Sequence, residues 1–113
     1  MKLAALTAAA ILATGSGAFA GPAMSINADD LTLDQAACMT LAAKVVRGAD
    51  LSKNFQVATQ TVYGEKGEYT GAIRCIAARR VVVFVVAGPS DKESAPLSRK
   101  LRDDFDAGQK PKR

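Results

Sequence analysis

Few residues in this chain are equipped for chemistry: two cysteines, three neighbouring carboxylate pairs, and a small group of tyrosines and arginines. Histidine is absent altogether, which removes the commonest general base and the commonest metal ligand. Ser/His and Cys/His nucleophile arrangements are therefore impossible, and no phosphate-cradling glycine pattern occurs. The carboxylate pairs are Asp29/Asp30, Asp103/Asp104 and Glu65/Glu68. Glycoside hydrolysis or binding of a hard cation needs two carboxylates converging on a cleft. By sequence position these pairs fall at a chain end, on the wet side of a helix and at a hairpin tip, as solvated charges do. The reading is of a protein that is not an enzyme, with no catalytic residue, no metal site and no cofactor.

Cys38 and Cys75 are the only cysteines, and in an oxidising compartment they are most simply a disulfide. Redox-active pairs usually sit in a C-x-x-C spacing that lowers a thiol pKa, and these two do not. The candidates for partner contact are Tyr63, Glu65, Lys66 and Tyr69, grouped at an expected hairpin tip, with Arg74 further along the returning strand. Tyrosine adds contact area at low entropic cost, and arginine is suited to a carboxylate or anion.

The elements that position these residues follow from periodicity. Thr32-Leu33-Asp34-Gln35 fits a capping box, and residues 33–47 are good helix formers with Gly48 placed to end the run. On that helix Cys38, Leu41, Ala42, Val45 and Ala49 share one face. Residues 55–63 alternate with period two and predict a first strand. Gly64 to Gly67 reads as a turn, and residues 68–77 as a second strand in which Gly71 marks a bulge or close packing.

Val81 to Ala87 is apolar at every position, a third strand that needs cover on both faces or a place inside a sheet. Pro96 places the start of the last helix near Ser94, and Leu97, Leu101 and Phe105 form its apolar stripe. The expected fold is α+β: an N-terminal helix, a three-stranded antiparallel β-meander and a C-terminal helix (α-β-β-β-α), joined by Cys38–Cys75 with both helices on one face. Gly21 to Asp30 is read as a short polar lead outside the fold. The element order is that of double-stranded-RNA-binding domains, an analogy of order alone.

Residues 1–20 read as a signal peptide. Lys2 is a minimal basic region, residues 3–13 are apolar, and Ala18-Phe19-Ala20 is a small-x-small cleavage site before Gly21. The apolar stretch is shorter than the ~20 residues a permanent span requires, so no stable membrane insertion is expected after cleavage. Residues 21–109 then form one domain and 110–113 a basic tail. The chain carries a net +4. Lys2, Lys110, Lys112 and Arg113 account for all of it, so the domain itself is electrically balanced and nucleic acid is not an expected partner.

Two functions remain. The first is a small exported, periplasmic, disulfide-stapled interaction module of inhibitor, immunity or assembly-accessory type, with an unidentified protein partner and a homodimer left open. The alternative is an envelope polyanion binder using Arg99, Lys100 and Arg102 with the tail. Mass spectrometry of the exported protein should find a chain beginning at Gly21; retention of residues 1–20 would refute the leader assignment.

Overall fold

The computed structural model describes residues 22–110. The leader, its cleavage site and residues 111–113 of the tail lie outside the described residues. The elements run β1 (Ala23–Asp30), α1 (Gln35–Gly48), β2 (Lys53–Val57), β3 (Thr61–Lys66), β4 (Tyr69–Ile76), a 3₁₀ turn (Ala77–Arg79), β5 (Val81–Gly88) and α2 (Asp91–Gln109). The strands form one antiparallel sheet in the order β1-β5-β4-β3-β2. This is an α+β fold, but its sheet has five strands rather than the expected three-stranded meander.

Two departures account for the extra strands. Residues 23–30, expected to be a polar lead, form β1 and pair along their whole length with β5, Ala23 opposite Gly88 and Asp30 opposite Val81. That pairing supplies the second neighbour that an all-apolar strand demands. It also removes the element order shared with double-stranded-RNA-binding domains. The run 55–63 is not one strand: it reverses at Ala58 to Gln60, where the Ala58 amide donates to the Thr61 carbonyl at 2.8 Å. Val57 then faces Val62 across a hairpin.

Gly64 lies inside β3, not in a turn. A Cβ there would fall 1.9 Å from the Leu51 carbonyl oxygen, and at its cross-strand partner Gly71 a Cβ would fall 2.5 Å from Leu51 Cδ1. The paired glycines open a hollow in the sheet for fully buried Leu51, the close packing anticipated at Gly71. The reversal after β3 comes instead at Gly67, whose φ is 58°.

The inner face of the sheet presents Val62, Ile73, Cys75, Val82, Phe84 and Val86, all fully buried. Both helices cover that face. On α1, Cys38, Ala42, Val45 and Val46 are buried, with Leu41 partly so. On α2, Leu101 and Phe105 are buried and Leu97 partly so, with Phe105 edge-on to Phe84 at 5.6 Å between ring centres.

The helix boundaries differ in detail from expectation. The cap of α1 is Asp34, whose carboxylate accepts from the Ala37 amide at 2.8 Å, rather than Thr32. Gln35 is thereby released to bridge elsewhere. Its Nε2 donates to the Cys75 carbonyl at 2.9 Å, and its Oε1 accepts from the Ala77 amide at 3.0 Å. Ser90 caps α2 by accepting from the Lys92 amide, so the helix begins before Ser94 and contains Pro96.

Cys38 and Cys75 are joined, with their Cα atoms 6.1 Å apart. The disulfide and the Gln35 bridges pin the start of α1 to the end of β4. Closing a loop of this length stabilises the fold by about 4 kcal/mol in the chain-entropy model, comparable to the net stability of so small a domain. A Cys38→Ala/Cys75→Ala chain should lose roughly that amount in equilibrium denaturation; a loss under about 1 kcal/mol would show that the packing alone holds the helix.

Candidate interaction surface

β1 is amphipathic in an unexpected sense. Its alternate residues Ala23, Ser25, Asn27 and Asp29 face the helices, while Met24, Ile26, Ala28 and Asp30 face away. The inward side is polar because α2 meets it with a polar stripe. Ser94, Ser98, Arg102 and Asp106 recur every four residues along that helix.

The contacts run up the stripe in order. The Ser94 hydroxyl donates to the Ala23 carbonyl at 3.4 Å, the Asn27 amide donates to Ser98 Oγ, and Arg102 Nη1 donates to Asn27 Oδ1 at 3.2 Å. At the far end Asp106 meets Asp29. Gln109 closes the row, its Nε2 donating to the Asp30 carbonyl at 3.0 Å and its Oε1 accepting from the Thr32 amide at 2.8 Å.

The Asp29–Asp106 contact was not visible among sequence neighbours, because its two carboxyls come from opposite ends of the chain. Burial pushes Asp106 up to about 6, helped by its hydrogen bond to Asp29 and that group's charge. Asp29 is held low, first by the hydrogen bond to Asp106 and then by the Asp30 amide, which donates to it at 2.8 Å. The pair therefore shares one proton in mildly acidic solution. Carboxyls in mutual hydrogen bond stand closer than the ~5 Å or more that glycosidases place across a scissile glycosidic bond. The adjoining hollow, about 280 Å³, is lined by Asp29, Asp30, Thr32, Asp106, Gln109 and Lys110. Among the described residues no group of three or more His, Cys, Asp or Glu side chains is gathered to hold a metal.

The face turned away from the helices is apolar across three strands. Cross-strand rows run Ile26–Val85–Ala72–Tyr63, Ala28–Val83–Arg74–Thr61 and Asp30–Val81–Ile76. Met24 and Ile26 are 57% and 61% exposed. Val81, Val83 and Val85 are only half-buried, although they stand on the central strand between two neighbours.

The five residues singled out as contact candidates divide between two places. Tyr63, Glu65 and Arg74 stand on this open face. The Tyr63 hydroxyl donates to Gln56 Oε1, and Glu65 accepts from Asn54 Nδ2 at 3.3 Å. Arg74 donates to Gln60 Oε1 at 2.9 Å and to Thr61 Oγ1 at 3.2 Å. Lys66 and Tyr69 lie on the helix side, opposite one another at the end of the β3–β4 pair.

Tyr69 packs where a Gly88 side chain would sit, and burial followed by a hydrogen bond with Glu93 raises its pKa. With Lys92, Leu97 and Lys100 these residues border a cleft of about 580 Å³. The expected tip cluster is thus two half-clusters on opposite sides of the sheet. Of the basic residues on α2, Lys100 pairs with Asp104 at 2.8 Å, and Arg102 with Asp103 at 3.1 Å as well as with β1. Lys92 and Arg99 of that helix stand exposed without an ion pair among the described residues. No described helix is long and apolar enough to cross a membrane. No family model, curated protein or solved structure matches the chain.

The apolar columns of β1 escaped the sequence reading, although Met24, Ile26 and Ala28 recur at a spacing of two. The polar residues between them made the segment look like a lead.

The carboxyl pair gives a signed pH effect. Because Asp106 holds its proton more tightly when folded, its contribution to stability is full below its unfolded value and is lost as pH rises through about 6. Asp29 contributes in the opposite sense, losing its part as pH falls. The stability advantage of the native chain over Asp106→Asn should therefore shrink between pH 4.5 and 7.5, as read by thermal melting of both. A difference unchanged over that interval would show that the two carboxyls do not share a proton.

Proposed function

We propose that the protein is a non-catalytic interaction module of the periplasm, and that its docking surface is the sheet face opposite the helices. One observation carries the reading: β1 turns its polar side to its own core and its apolar side outward. Slipping the strand by a single residue would reverse this and send Met24, Ile26 and Ala28 inward. The Ser94–Ser98–Arg102–Asp106 stripe selects the opposite register through four contacts. A strand held so that its apolar side faces out is arranged for something other than its own fold.

Covering what is still exposed of Met24 and Ile26 would contribute about 1–2 kcal/mol each, set against the cost of association. Tyr63 and Arg74 border the apolar area and supply the kind of polar margin that recognition surfaces carry. The disulfide suits an oxidising compartment, and the leader reading supplies the route there. The polyanion alternative draws less support, because Lys100 and Arg102 are engaged with neighbouring carboxylates.

Ile26→Lys tests the reading, since an exposed substitution of this kind changes stability by about 0.5 kcal/mol or less. Immobilised native protein should retain a partner from periplasmic extract, whether another protein or further copies of itself, and Ile26→Lys should lose it. Equal retention by the two forms, or none by either, would defeat the proposal.

A further inference from the structure

The open face also indicates which partner it fits. Resting on the reading above, we infer that the occupant is a second copy of this chain, packed sheet to sheet about a two-fold axis running along β5. In that arrangement each column of the face meets its mirror position across β5, so β1 of one copy lies over β4 of the other.

The two columns are complementary in size. Reading along β1, the outward residues are Met24, Ile26, Ala28 and Asp30; the positions at equal height on β4 are Thr70, Ala72, Arg74 and Ile76. Ile26 therefore falls over the partner's Ala72, Met24 over the partner's Thr70, and Ala28 leaves room for the long side chain of the partner's Arg74. Large side chains meet small ones at three successive levels. Val81, Val83 and Val85 lie near the axis and pack against their own copies, as the inner faces of a β-sandwich do.

The charges agree with the same superposition. Asp30 lies over the β4 column of the partner one level from Arg74, within reach of a long guanidinium, and the two-fold repeats the contact. On the opposed strands Asp30 balances Arg74, so two copies meet without net repulsion. A membrane surface would call for an excess of basic residues around the apolar area, and this face has none.

The area fits a weak, reversible pair. About an axis along β5 only β1, β5 and β4 of each copy are opposed. Three strands of 8 residues, ~4.8 Å apart and rising ~3.3 Å per residue, give about 400 Å² per copy and about 800 Å² for the pair, the scale of a transient contact that exchanges in the micromolar range.

The test is the solution mass of the purified, disulfide-intact protein, expressed from its full coding sequence, between about 1 and 200 μM by sedimentation or light scattering. The native chain should rise from monomer toward twice the monomer mass across that range. Ile26→Lys and Ala72→Phe, the second filling the space Ile26 enters, should each raise the dissociation midpoint at least tenfold. Their circular dichroism and melting should stay close to the native values. Asp30→Arg should weaken the dimer, and Asp30→Arg/Arg74→Asp should restore it.

A dimer indifferent to Ile26→Lys and Ala72→Phe would overturn the face-to-face assignment. A native chain monomeric at 200 μM would overturn the second copy as occupant; face-dependent capture from extract would then leave the broader interaction reading standing. Monomer that cosediments with anionic vesicles through Ile26 would also overturn it, in favour of a lipid surface.

Discussion

A strand that is apolar at every position from Val81 to Ala87 sets the terms for everything around it. Such a strand cannot sit at a sheet edge without exposing both its backbone and its side chains, and it cannot have one wet face without leaving half its valines in water. The fold meets three of the four demands. β4 and β1 take the two edges, and the helices take the inner face through Phe84, Leu101 and Phe105. The outer face is left. There Met24 and Ile26 stay more than half exposed beside the half-buried Val81, Val83 and Val85.

The rest of the architecture holds that arrangement in place with polar contacts as much as with apolar ones. The Cys38–Cys75 link and the Gln35 bridges fasten α1 to the end of β4. On the other side, α2 grips β1 through side chains four residues apart, and Gln109 secures the exit of the strand. The two helices thus use different means. One is crosslinked over the enclosed half of the sheet, and the other fixes the register of an edge strand by hydrogen bonds. Because a β-strand changes faces with every residue, those hydrogen bonds decide which side chains are presented to the outside.

Much of this was legible from residue order, and the failures have a common cause. The Cys38 face of α1, the Leu101–Phe105 stripe of α2 and the last two strands follow from spacing within one segment, and the disulfide from there being only two cysteines to join. What did not follow were the features that depend on residues far apart. β1 looked like a lead because its inward side is polar, and that side is polar only because α2 brings matching groups to it. Gly64 looked like a turn because nothing nearby reveals that Leu51 needs the space. The Tyr63–Tyr69 group looked like one cluster because proximity along the chain hides the two-residue turn that pairs Lys66 with Tyr69 and so sends 63 and 69 to opposite faces. In each case a distant partner overrode a correct local signal.

The union of β1 with β5 and α2 also bears on how the molecule comes into being. β1 lies near the start of the chain, yet Ala23 pairs with Gly88 and receives the Ser94 hydroxyl from 71 residues away. The segment 38–75 holds α1, two hairpins and the crosslink, whose contacts need nothing from β1. The opening strand has no partner for its backbone until β5 and α2 have been made, and Met24 and Ile26 stay exposed even then. Of the elements in the sheet, the one that comes first in the chain thus takes its partners from the end, and the outward surface is complete only once both termini of the domain have met.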